Sequence, residues 1–190
     1  MPTARALEII DFWKEVGPQG WYNSTPELDA EIRQRFMSDW DAATLGGLRE
    51  WLGSPEGALA YLLVTDQFGR NMFREDARAF ATDEWAHRAA TKAIHHKLDT
   101  RLPEPIRQFF YLPFMHAETT IDQDRCIRYL IVRMPETGAD NLRHARAHRE
   151  IIRRFGRFPY RNALLGRKNT PAEEAFLTEG GYGSILNALA

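Results

Sequence analysis

Apolar side chains along this chain recur at intervals of three and four, the spacing of a helix that keeps one face against a core. Leu28, Ile32, Phe36 and Trp40 step by four, and Leu59, Leu62 and Leu63 lead in the same register to Gln67. The period continues through Trp85, Ala86, Ala89, Ala90, Ala93 and Ile94, then Ile106, Phe109 and Phe110, then Ile127, Leu130, Ile131 and Met134. No stretch sustains polar–apolar alternation between Asn-Gly or Asp-Gly turns, and the β-branched residues are scattered, so a sheet has no material. Helix starts share one chemistry: Thr25-Pro26, Ser54-Pro55 and Thr170-Pro171 each pair a hydroxyl acceptor with a proline that needs no N–H partner. Thr170 and Glu173 also have the spacing of a capping box. Breaks fall at Gly17 to Gly20, Gly46-Gly47, Gly53, Pro103, Pro113, Pro135 to Gly138, Gly156 to Pro159, Gly166 and Gly180-Gly181. They are short enough for helical hairpins. The pattern predicts an all-α protein of about eight or nine antiparallel helices in one domain, 1–190, with a loosely ordered tail over 180–190.

Composition narrows the class. The 190 residues are 44% hydrophobic and 12% aromatic, enough to fill a core, which excludes disorder and low-complexity readings. A net charge of −1 gives no whole-chain reason to bind nucleic acid or a membrane surface. The longest apolar run, Ala58 to Val64, falls far short of the ~18 residues of a spanning helix, and no signal-peptide pattern opens the chain. The single cysteine, Cys126, excludes an internal disulfide framework and fits a reducing, cytoplasmic setting.

Charge is unevenly distributed. Nine basic residues against one acid, Glu150, lie between Arg143 and Lys168, whereas the first 66 residues carry eleven acids and five bases. Arginine outnumbers lysine 21 to 4, which favours planar, bidentate contacts over point charges.

Three strings crowd polar side chains beside large apolar ones. In the first, Asp66 to Arg74, a helix persisting through Gly69 would stack Asp66, Arg70 and Arg74 on one face, one attractive pair and one repulsive. Two arginines so placed ask for an anion or for carboxylates from elsewhere; alternatively Asn71 caps the helix and Arg70 pairs with Asp66. In the second, Tyr111 to Glu118, a proline-opened turn places His116 near Glu118, an acid–base or metal-ligand pairing or a buried hydrogen bond. In the third, His144, His148, Ile151 and Phe155 form an inward stripe, opposite a face of arginines. Arg157, Arg161 and Arg167 instead sit in Gly/Pro-interrupted turns, where a scaffold can position them. His144 and His148 have the spacing of a helical metal pair but lack the intervening glutamate of a metalloprotease helix, so no metal or cofactor is expected. Cys126 has no activating neighbour and reads as an idle thiol.

Taken together these strings resemble an uncharacterised bacterial and fungal family, domain of unknown function 924. The residues that carry the likeness are Phe12-Trp13, Asp66 to Arg74, Phe110 to Pro113 with His116 to Glu118, His148, Arg154 to Asn162, and Leu165 to Arg167. The resemblance spans essentially the whole chain and implies a right-handed, tetratricopeptide-like helical array, with no reaction attached. Gly69, Ala117 and Tyr160 stand where that family usually has proline, serine and histidine.

Asp66, Arg70, Asn71, Arg74, His116, Glu118, His148, Arg157, Arg161, Asn162 and Arg167 match the family pattern, and such groups beside aromatics need mutual pairing or a ligand. The leading expectation is that the three strings meet at an arginine-rich groove that clamps a small phosphate or carboxylate. In it Asp66, Arg70, Asn71, Arg74, Arg157, Arg161, Asn162 and Arg167 form the ligand site, with Asp66 and Glu118 holding the arginines in place. The alternatives are a hydrolase using His116 or His148 beside Glu118, a helical scaffold for a protein or peptide partner, and RNA binding through the basic segment.

Overall fold

The computed structural model describes residues 2–189. Among them are α-helices and shorter helical turns, and no strand. Eight helices have eight residues or more: α1 (Ala4–Tyr22), α2 (Pro26–Thr44), α3 (Pro55–Leu62), α5 (Asp83–His95), α7 (Thr120–Arg133), α8 (Ala139–Phe155), α9 (Pro171–Thr178) and α10 (Gly181–Ala188). Two more, α4 (Gly69–Met72) and α6 (Leu112–Met115), are single turns. The all-helical expectation and its count therefore hold for the described residues.

The capping chemistry is as the sequence predicts. Thr25, Ser54 and Thr170 accept from Leu28, Gly57 and Glu173 N–H, each with proline in the first turn, and Thr170 with Glu173 closes a capping box. α1 breaks at Gly17, whose φ of 67° no helix interior accommodates, just before Pro18.

The chain divides into two compact units, Met1–Pro113 and Phe114–Ala190. Unit 1 is built on an aromatic cluster. Phe68 stacks on Phe36 with centroids 5.0 Å apart and meets Trp13 edge-on at 5.4 Å. Trp21 packs on Phe109 and donates its indole N–H to the Trp13 carbonyl at 2.7 Å. Phe68 ends a π-helical stretch, Leu63–Phe68, between α3 and α4, and every residue of that stretch is buried. Such bulges let a helix re-aim its side chains without ending.

Unit 2 has its own core. α7 and α8 pack against each other, and Ala147, Ile151, Ile152, Phe158, Phe176 and Ile185 close the interior. α8 ends on Gly156 at φ 69°, the left-handed cap that turns the chain toward Phe158. Residues 180–190, expected as a loose tail, carry α10, which starts after Gly180 at φ 99° and seats Ile185 in that core; Ala190 lies outside the described residues.

Candidate functional site

In unit 1 the first string does not stack its two arginines. The helix stops at Phe73, whose φ of −131° and ψ of 47° leave the helical region, so Arg74 turns off the face that carries Arg70. Arg70 lies between two carboxylates, with Nη1 3.3 Å from Asp66 and 2.9 Å from Asp83, and donates to the Asp66 carbonyl at 2.6 Å. Arg74 instead grips Asp29 of α2, and Asn71 donates to Asp29 at 2.7 Å and to the Ser24 hydroxyl at 3.1 Å. Asn71 is thus a bridge to α2, not a cap; the cap is Phe73. Burial pushes the Asp29 carboxyl up, but hydrogen bonds from Arg74, Asn71 and Ser24 outweigh it and hold the group below the carboxylate range.

In unit 2 the second and third strings meet. Glu118, in the turn after α6, accepts from Arg167 Nη1 and Nη2, at 2.6 and 2.9 Å, and from the backbone N–H of Phe158 at 2.8 Å. Burial raises this carboxyl, yet those donors and the Arg161 charge bring it below its ordinary value. Arg157 forks onto Glu173 at 2.6 and 2.8 Å and donates to the Lys168 carbonyl at 2.9 Å. That hydrogen bond is the main reason Glu173 sits at about 2. Arg161 is only 6% exposed; it donates to the His116 carbonyl at 3.1 Å and lies over the Phe158 ring at 4.5 Å. Asn162 is fully buried and donates to Asn169 at 2.8 Å. Two buried atoms here, Asn162 Oδ1 and Arg167 Nε, make no hydrogen bond within the described chain.

His148 faces inward. Its Nδ1–H donates to the His144 carbonyl at 2.9 Å, and its ring meets Phe158 edge-on at 5.3 Å. Burial, with the His116, Arg161 and His144 charges acting the same way, lowers it to about 3. An imidazole so placed stays neutral and is a poor base at neutral pH. His144 contacts the Tyr182 hydroxyl, so the helical histidine pair is spread between a backbone carbonyl and a phenol. No group of three or more His, Cys, Asp or Glu among the described residues is arranged to hold a metal ion. Cys126 is buried in α7, and burial pushes its thiol up.

Sequence reasoning located the arginines and two of the carboxylates that hold them, Asp66 and Glu118, but missed three others. Asp29, Asp83 and Glu173 are distant in sequence from Arg74, Arg70 and Arg157; of the three, only Glu173 carries a local signal, the capping box. No helix among the described residues is long and apolar enough to cross a membrane.

The comparisons agree with this picture of a helical protein. A solved structure of a protein of unknown function, ATU0120 from Agrobacterium tumefaciens, is 42% identical to the chain, with a TM-score of 0.87 over 93% of this chain and 98% of that one. No curated protein matches. The model of the family described as bacterial protein of unknown function, DUF924, matches residues 9–181, and the chain belongs to that family.

Proposed function

We propose that this is a ligand-binding protein whose unit 2 takes a small anion, phosphate or carboxylate, at the turns that carry Arg157, Arg161, Asn162 and Arg167. One observation supports it most: Arg167 forks onto Glu118, which also takes the Phe158 N–H, so that Arg167 and the buried Arg161 gather at one turn that is built to hold a carboxylate. Arginine forks recognise planar and tetrahedral oxyanions with directed hydrogen bonds, so such a gathering suits an anion better than solvation does. The unsatisfied Nε–H of Arg167 is a donor that an oxyanion or its bridging water would meet. Unit 1 fits this role less well: its Arg70 and Arg74 are held by carboxylates, as Arg157 and Arg167 are, but neither leaves a buried N–H unsatisfied within the described chain as Arg167 does.

The test is thermal unfolding with and without inorganic phosphate at matched ionic strength. Phosphate raises the wild-type Tm in proportion to the logarithm of its concentration. Arg161→Lys keeps the charge and loses the fork, and it abolishes that rise while its circular dichroism stays helical. A Tm that responds to ionic strength alone contradicts the proposal.

A further inference from the structure

A hollow in unit 1 carries a chemistry of its own. It is a half-open cleft of about 320 Å³ between the end of α2, the turn Arg49–Gly53, α3 and α5. Tyr61 of α3 and Trp85 of α5 supply rings, and Arg49, Arg88 and Lys92 supply cations. Arg88 is held by Glu84 one turn earlier. Arg49 and Lys92 have no carboxylate within ion-pair distance among the described residues. Trp85, Arg88 and Lys92 follow one another at helical spacing, so a single face of α5 presents ring and charge together.

The backbone is bent to deliver Arg49. Leu48, immediately before it, is held at φ 62°, a left-handed conformation that a branched side chain rarely adopts. Gly46, at φ 80°, leaves room for the guanidinium: a side chain there would begin 3.1 Å from Arg49 Nη2. Burial pushes the Tyr61 phenol up while the Arg49 charge pulls it down, so the two share one environment. Two further hollows differ. The larger cleft of unit 2, about 600 Å³, has no aromatic ring in its lining among the described residues, and of its arginines Arg149 and Arg154 are neutralised by Asp124 and Glu150, with Arg146 beside them. The shallow groove of about 650 Å³ in unit 1 likewise has no aromatic ring in its lining; there Arg74 is neutralised by Asp29 and Arg33 lies over the Phe73 ring.

We infer that the Tyr61–Trp85 cleft binds a small planar aromatic phosphate monoester, its ring against Trp85 and Tyr61 and its dianion between Arg49 and Lys92. Two uncompensated cations match two negative charges, and a hollow of this size lies at the small end of ligand sites. Aromatic rings add stacking, which inorganic phosphate cannot use.

The test follows the Trp85 indole N–H resonance, assigned with Trp85→Phe, during titration with phenyl phosphate. The expected result is a saturable shift whose apparent affinity falls about tenfold in Arg49→Ala and again in Lys92→Ala, both exposed positions, with unchanged Tm. Phenol and inorganic phosphate each bind more weakly than phenyl phosphate. An unmoved Trp85 signal, equal affinity in the Arg49→Ala, Lys92→Ala double variant, or equal binding of phenol or of inorganic phosphate overturns the inference. Arg161→Lys leaves this titration unchanged, so loss of the unit 2 site and loss of this one are told apart.

Discussion

Glu118 and Arg167, 49 residues apart in sequence, meet fork to fork, Nη1 donating to Oε2 at 2.6 Å and Nη2 to Oε1 at 2.9 Å. The same carboxylate accepts the Phe158 N–H at 2.8 Å, so one side chain fixes both the arginine and the turn that leads to Arg161. Glu118 is then an internal anion that occupies donors a ligand would also use.

That competition is measurable. Glu118→Gln keeps the shape and removes the charge, and it lowers stability by about 2 kcal/mol because one of the two acceptor oxygens becomes an NH2 donor facing the guanidinium, which breaks the fork and the ion pair. It also enlarges the Tm rise that phosphate produces relative to wild type. A variant that loses stability without gaining any response to phosphate shows that these arginines serve Glu118 alone.

The Arg157–Glu173 fork sets an acid limb. Glu173 lies at about 2 in the folded protein against an ordinary value of 4.5, chiefly through the Arg157 hydrogen bond. A lowered carboxylate contributes its stability fully above its unfolded value and loses it as pH falls toward the folded one, here from 4.5 to about 2. Glu173→Gln therefore flattens the plot of Tm against pH across that window. An unchanged slope contradicts the assignment. Glu150 is also at about 2, but its arginine partners Arg153 and Arg154 are exposed and solvent screens the pairs, so Glu150→Gln changes the slope less.

His148 gives a limb at higher pH. Its folded value of about 3 lies below the ordinary 6.5, mainly through burial, so the unfolded chain binds the extra proton between those values. Stability from keeping this ring neutral is complete above pH 6.5 and declines as pH falls toward 3. Nitrogen-15 spectra of the imidazole show a neutral ring, protonated at Nδ1, throughout the neutral range. A ring that titrates near 6.5 refutes this burial and reopens its use as a general base.

Phe158 joins packing to the site, since its ring lies under Arg161 and edge-on to His148. Phe158→Leu retains an apolar side chain and removes the aromatic face, so stability falls by about 1–2 kcal/mol in denaturant unfolding. The phosphate response weakens with it. Full retention of that response means that Arg161 is positioned without the ring.

Much of the fold is legible in the chain because it is local. Thr25-Pro26, Ser54-Pro55 and Thr170-Pro171 announce helix starts through contacts three residues long, and the Leu28 to Trp40 stripe states which face is buried. The end of the first string was less readable: Asp66, Arg70 and Arg74 keep a four-residue spacing on paper, but the chain leaves the helix at Phe73. Leaving at Phe73 frees Arg74 to reach Asp29. The arginines of the site could be picked out by their Gly/Pro-interrupted turns. Of their partners, Glu118 stands out in the second string as a carboxylate that holds arginines and does pair with Arg167, whereas Glu173 shows in sequence only as a capping-box residue, and its pairing with Arg157 is settled by folding. Likewise the cations of the Tyr61–Trp85 cleft come from two segments, Arg49 from a turn and Lys92 from a helix face, neither of which carries a motif.

The most direct measurement is the Nε–H resonance of Arg161 in nitrogen-15 spectra during titration with inorganic phosphate at constant ionic strength. The account predicts a saturable shift at Arg161 and Arg167, a smaller one at Arg157, and none at Arg70 or Arg74. Uniform small drifts at all five, or movement confined to Arg70 and Arg74, contradict it.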